Sequence, residues 1–417
     1  MSEQNETSIS KLKTYFDDYQ LGQFLLSCDY TNQSGWTLYN EGLKLQPFEF
    51  RDALNPPLHL SDIKGKTIAI ISPLDYRPII NGVEHPEFRY MMGSYQVAFL
   101  KPLADLLKFS PQKVKLIVDA QFCDLFRISY PQIEIFPLPS ANKIGALGSL
   151  VQGIDYVMSV TQLGGFPEMA TSFEDAQPHI RADEAMVKDF KEKLLPLCKG
   201  RYPLAISWGA TKVTGAVHGK NVPIDKFFNN LHKIKDKFAF ININFYQDSF
   251  DRGTAAYFAR EMLQSDGIYI NAYKDYDLHN KPFRSAALLT AINQMGGTSF
   301  SIANFLEVVI SALGIPGIKP VNLSDVFNYG LGRGFGEDSI SRKPWAVPIM
   351  QSTPDEWDDV IETSIDLFQN HYNPSNPLRF DKIPPYDFMA GKEKYYQKHY
   401  ADKVKLSIRD ISQHWKY

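Results

Sequence analysis

The sequence predicts an α/β protein made of two Rossmann-like domains in one chain. Three observations predict it. Short β-branched runs alternate with amphipathic stretches through the first half of the chain. The same alternation restarts near Tyr202 with different residues. The 417 residues, 44% hydrophobic and 13% aromatic, exceed what one ordinary core holds and suffice for two.

Residues 1–60 form an N-terminal helical segment, with helical spacing in "SKLKTYFDDYQLGQFLLS" and an irregular connection at "NPPLHLSD". A first domain over 61–198 opens with "KGKTIAIISPLDY", an apolar run introduced by charges and closed by Pro73, as a buried parallel strand would be. The long loop "RPIINGVEHPEFRYMMG" follows. Then "SYQVAFLKPLADLLKF" reads as helix, "KVKLIVDA" as strand, "QFCDLFRISY" as helix and "IEIFPLP" as strand.

A boundary falls near "LPLCKGRYP", Leu195 to Pro203, and a second domain spans 199–370. There "YPLAISWGATKVTG" reads as strand then small-residue loop, "IDKFFNNLHKIKD" as helix, and "FAFININFY" and "DGIYINAY" as strands. "RSAALLTAINQ" reads as helix, "MGGTSFSIANF" as a glycine-rich loop, and "FLEVVISALG" as helix from the spacing of Phe305, Val308, Val309 and Ala312. Residues 371–417 form a tail packing back across the domains. Ligands of such folds lie where strand C-termini face a crevice, here between the domains.

Bulk properties exclude several classes. A formal charge of −3, from 44 basic and 47 acidic residues, supplies no general attraction to nucleic acid. Cys28, Cys123 and Cys198 lie far apart without metal-ligand spacing, so no disulfide framework or zinc site is expected. The polar start "MSEQNETSISKLKTYF" is unlike a signal peptide, and no transmembrane segment is expected; the expected location is the cytoplasm.

Two loops and one helix start carry the candidate chemistry. In "MGGTSFSIANF", Gly297 allows close backbone approach, and Thr298, Ser299 and Ser301 offer hydroxyls beside unpaired helix amides, an arrangement that attracts phosphate. An ordinary N-cap gives the same pattern. The loop after Tyr202–Ser207 offers Gly209, Thr211, Lys212 and Lys220. The loop after the first strand gathers Asp75, Glu84, His85 and Glu87 in the first domain, with His85 titrating near neutrality.

The stretch "RSAALLTAINQMGGTSFSIANFLEVVISALGIPG" resembles the nucleotide-sugar motif of the glycosyltransferase domain found in bacterial proteins that often carry tetratricopeptide repeats, and more remotely that of the heptosyltransferases. "SGWTLYNEGLKL" is similar to that domain's leading Gly-Trp-x-x-Tyr segment, "YPLAISWGATKVTGAVHGKNVPIDKFF" to its donor loop, and "GEDSISRKPWAVPIM" with "DEWDDVI" to its closing segment. Together they cover about residues 34 to 370. The resemblance implies a GT-B fold, with a nucleotide-sugar donor held by the second domain and a hydroxyl acceptor, whether glycan, protein or another molecule, facing the first. It implies inverting transfer with neither metal nor cofactor.

On that resemblance the donor-binding residues are Ser207, Gly209, Thr211, Lys212, Lys220, Asn244, Gly297, Thr298, Ser299, Phe300, Ser301 and Asn304. Lys220 aligns with the family's basic residue, and Asn244 with a glutamine. The family's Asp-Thr-x-x-x-His is here Ser299 to Asn304, without the acid or the histidine, and the expected catalytic carboxylate falls near Gly93-Ser94. The expected base is His85 or Asp75, with Glu87 in the same loop. A GT-B module that binds without turnover, or a sugar-nucleotide epimerase, is the alternative. An NAD enzyme ranks lower, because no Gly-x-Gly-x-x-Gly follows the first strand.

Overall fold

The computed structural model describes residues 22, 34–38, 41, 54–71, 79–80, 83–84, 97, 102–138, 145–169, 177–209, 221–244, 255–279, 281–302, 304–321, 345–351 and 356–376. It is an α/β structure with two parallel sheets, and the units that carry them part between Ile180 and Arg181.

The first unit begins its sheet with β1 (Thr67–Ile71) and carries a two-stranded antiparallel ribbon, β2 (Ile79–Ile80) and β3 (Val83–Glu84). One α-turn, α1 (Leu103–Leu106), leads to β4 (Lys113–Val118). Helix α2 (Cys123–Ser129), β5 (Glu134–Pro137), α3 (Gly145–Val151) and β6 (Tyr156–Ser159) follow. The sheet order is β5-β4-β1-β6, all parallel. β1 is central, which is why Ile68 to Ile71 are fully buried and read as a continuous apolar run. Its start is pinned by Asp155, whose Oδ2 accepts from the Thr67 amide at 2.8 Å. Trp36 is fully buried against Gly164, where any Cβ would overlap the indole.

The second unit holds α4 (Glu184–Cys198), β7 (Tyr202–Ser207), α5 (Ile224–Leu231), β8 (Phe238–Asn242), α6 (Ala255–Ser265) and β9 (Tyr269–Ile270). It continues through α7 (Ala272–Asp275), α8 (Pro282–Gln294), β10 (Thr298–Ser301), α9 (Phe305–Ala312), β11 (Gly317–Val321), β12 (Ala346–Met350) and α10 (Asp358–Asp366). The order β12-β11-β10-β7-β8-β9 is the doubly wound 3-2-1-4-5-6 arrangement when strands are numbered within the unit. Chain direction across the sheet therefore reverses between β7 and β10. One face is an aromatic core, in which Phe227 stacks on Phe300 at 4.6 Å between ring centres and Trp208 meets Phe228 edge-on at 5.0 Å. Each fully buried ring of this kind stabilises the fold by about 1.5–3 kcal/mol.

The structure corrects one element. Thr298 to Ser301 are not a loop opening a helix but the buried strand β10, paired on both edges, from Thr298↔Leu204 to Ser301↔Ser207 on one side. Small hydroxyl side chains disguise it, because they mimic a turn while fitting between β7 and β11. The strands β6, β11 and β12 and the helices α3, α4, α6 and α10 have no counterpart in the sequence reading, the ribbon β2–β3 falls in its first long loop, and α7 begins where it continued the strand β9. The stretch Leu195 to Pro203 holds the last turn of α4 and the start of β7. Apart from Gly22, the N-terminal helical pattern over 10–27 lies outside the described residues, as does the tail beyond 376.

Candidate functional site

At the reversal between β7 and β10 the strand ends converge on a cluster of neutral polar groups. The last residue of β7, Ser207, is fully buried and donates its hydroxyl to Asn244 Oδ1 at 3.0 Å. Asn304 Nδ2 donates to Ser207 Oγ at 2.8 Å and reaches the Gly209 carbonyl at 3.4 Å. The Gly209 amide points to Asn244 Oδ1 at 3.4 Å. Ser301, in register with Ser207, is 2% exposed. Ser207, Gly209, Asn244, Ser301 and Asn304 are thus brought together from the ends of β7, β8 and β10 and the start of α9.

Local structure explains the placement. Asn304 is the N-cap of α9, its Oδ1 accepting the Glu307 amide at 3.2 Å, so one side chain closes the helix start and ties it to β7. Asn244 follows β8, where its own amide donates to Asn242 Oδ1 at 2.8 Å. Asn242 in turn donates to Asn271 Oδ1 at 3.2 Å, extending the amide chain to the end of β9. Sequence reasoning missed Asn242 and Asn271; the signal was the alternating "NIN" at a strand end.

One group in this cluster is unsatisfied. Asn244 is 1% exposed, and its Nδ2 has no hydrogen-bond partner among the described residues. Its Oδ1 is fixed as the acceptor by two donors, Ser207 Oγ and the Gly209 amide, so the amide cannot rotate to hide the problem. A buried donor left this way costs about 1–3 kcal/mol. A ligand acceptor would recover that cost. Trp208 Nε1, next in the chain, is likewise buried without a partner among the described residues.

Charge beside the cluster is already neutralised. Glu307, in the first turn of α9, pairs with Lys319 of β11 at 2.9 Å, and both side chains are over nine-tenths buried. The described part of the site therefore offers amides, hydroxyls and backbone groups. It can bind and orient a polar ligand, and none of these groups is a general base at neutral pH.

The remaining sequence candidates fall elsewhere. Gly297 lies at the opposite, N-terminal end of β10, where a Cβ would collide with the Pro203 and Ile292 carbonyls, so its close backbone approach is to the protein itself. Thr298 and Ser299 donate their hydroxyls to the Pro316 carbonyl at 2.8 and 3.4 Å, not to a helix mouth. Phe300 is in the aromatic core. Thr211, Lys212 and Lys220, and with them Asp75, His85 and Glu87, lie outside the described residues. Both ends of the segment carrying the two lysines are nonetheless fixed, since the Val222 amide donates to the Trp208 carbonyl at 3.0 Å.

No family model matches this chain, and no curated protein matches it. Among solved structures it is similar to a glycosyl transferase family 9 protein from Veillonella parvula DSM 2008, with 12% identity, a TM-score of 0.47, and coverage of 69% of this chain and 87% of that one.

Proposed function

We infer that the chain is a glycosyltransferase of GT-B type that binds a nucleotide-sugar donor at the C-terminal ends of β7, β8 and β10. The observation that carries the reading is the buried, unsatisfied Asn244 Nδ2 at the point where the doubly wound sheet reverses, the place where such sheets bind nucleotides. The resemblance of Arg284 to Gly317 to a nucleotide-sugar motif supports it, since that motif contains β10 and α9. Ser207, Gly209, Ser301 and Asn304 complete the donor site. Thr211, Lys212 and Lys220 belong to it through the adjoining segment, with Lys220 offsetting charge on the departing diphosphate.

Transfer is inverting and metal-independent in this reading. The acceptor hydroxyl loses its proton to His85 or Asp75, with Glu87 beside them, in the segment that follows β1. A binding module without turnover is the second reading. It is favoured by Asn304, which stands where the family has histidine and is engaged in capping α9 and bonding Ser207.

Titration calorimetry with UDP, GDP, ADP, TDP and CMP tests the donor site. At least one binds, and Asn244→Ala weakens it at least about tenfold, as loss of a buried hydrogen bond to ligand does. Absence of heat with every nucleotide overturns the reading.

A further inference from the structure

The end of the second unit's sheet opposite the polar cluster combines exposed apolar side chains with an excess of cations. Four large hydrophobic side chains are exposed among the described residues, Leu58, Leu195, Leu197 and Met262, and the last three belong to the last turns of α4 and α6, the helices that lead into β7 and β9 at this end. Leu195 is 65% exposed, Leu197 42% and Met262 58%. The two leucines are on the last turn of α4. Met262 is on the last turns of α6, its carbonyl accepting the Asp266 amide.

Polar contacts tie these turns into one surface. Lys199, just past α4, donates to the Asp266 carbonyl at 3.3 Å, and Lys235 pairs with the Asp266 carboxylate at 3.0 Å. Arg201 Nε donates to the Lys235 carbonyl at 2.8 Å. The connections at this edge, 199–201, 232–237 and 266–267, carry five cations, Lys199, Arg201, Lys233, Lys235 and Lys237, against two anions, Asp236 and Asp266. Five minus two leaves +3 here, in a chain whose formal charge is −3.

We propose that this edge docks on an anionic lipid bilayer, Leu195, Leu197 and Met262 entering the headgroup boundary and Lys199, Arg201, Lys233 and Lys235 meeting lipid phosphates. The chemistry favours a bilayer over other partners. Three separated apolar side chains are too few for a protein interface core, whereas each one entering a bilayer gains independently. A second copy of the chain would bring the same positive edge against itself, and nucleic acid would leave the leucines in water. Attachment would be peripheral, since among the described residues no helix is long and apolar enough to cross a membrane. The edge lies at the N-terminal ends of β7 and β8, so docking does not rest on the glycosyltransferase reading.

Flotation of the full chain with phosphatidylcholine vesicles, and with vesicles of phosphatidylcholine and phosphatidylglycerol at roughly two to one, tests the proposal. The chain floats with the anionic vesicles and not the neutral ones. Lys199→Glu/Lys233→Glu and Leu195→Ser/Leu197→Ser each weaken vesicle affinity at least about tenfold. The thermal midpoint of the leucine variant stays unchanged, because those side chains are exposed, and that of the lysine variant falls slightly, since Lys199 gives up its bond to the Asp266 carbonyl. No flotation at low salt, equal binding to both vesicles, or an unchanged affinity in either variant overturns it. So does leucine-dependent dimerisation without vesicle binding, or capture by duplex DNA that the leucine changes leave intact.

Discussion

At the scale of single residues, one half-buried and one buried group make measurable predictions. Lys237 Nζ donates to the carbonyls of Phe368, Gln369 and Tyr372 at 3.0, 3.2 and 3.3 Å, and lies 5.3 Å from the centre of the Tyr372 ring. A cation is thereby held against the C-terminal carbonyls of the Leu367–His371 turn, where the helix dipole is negative. Lys237→Met is expected to lower stability by about 2–3 kcal/mol in urea unfolding. Cys198 is 1% exposed, and burial pushes its thiol from 9.0 up to about 11. The folded state thus holds the proton more tightly than the unfolded one. That stability is fully present below pH 9 and is lost as pH rises through about 11. Compared with Cys198→Ala, the native chain should lose about 1–3 kcal/mol across that window in pH-dependent unfolding. It should also resist alkylation at neutral pH until unfolded.

At the scale of elements, α9 is held at its start by two devices of different strength. The Asn304 cap is worth about 1 kcal/mol, with the hydrogen bond to Ser207 adding a similar amount. The Glu307–Lys319 pair ties the same turn to β11. Lys319→Met should cost about 3–5 kcal/mol by leaving a buried carboxylate, and Glu307→Leu/Lys319→Met should recover most of it. Denaturant titration of the single and double variants measures the difference. β10 shows why elements can escape the sequence. Its four residues Thr-Ser-Phe-Ser have the composition of a turn, and the flanking strands bury their hydroxyls while the carbonyls of Pro316, for Thr298 and Ser299, and of Ile302, for Ser301, satisfy them. β7 and β8 were legible because Leu204 to Ile206 and Phe238 to Ile241 are apolar on both faces.

At the scale of the molecule, each sheet is a separate unit, and donor and acceptor functions are separable in the proposed reading. His85→Ala or Asp75→Asn should abolish sugar transfer in a radiolabelled-donor assay, with nucleotide affinity within about twofold of native. A saturating nucleotide at about 100 times its Kd should stabilise the fold by about 2.7 kcal/mol, seen as a raised thermal midpoint, and at the same concentration a tenfold weaker Asn244→Ala should keep about 1.4 kcal/mol of it. The sequence by itself determined the α/β class, the restart near Tyr202, the strands β1, β4, β5, β7, β8 and β9 and the helices α1, α2, α5, α8 and α9, because apolar periodicity is a local property of the chain. It also singled out Ser207, Gly209, Asn244, Ser301 and Asn304. Only the tertiary structure decided that these five meet while Gly297, Thr298 and Ser299 face away, and that Glu307 and Lys319 pair. Strand order decides which residues distant in the chain share an end of the sheet, and that order follows from packing across many residues rather than from any one stretch.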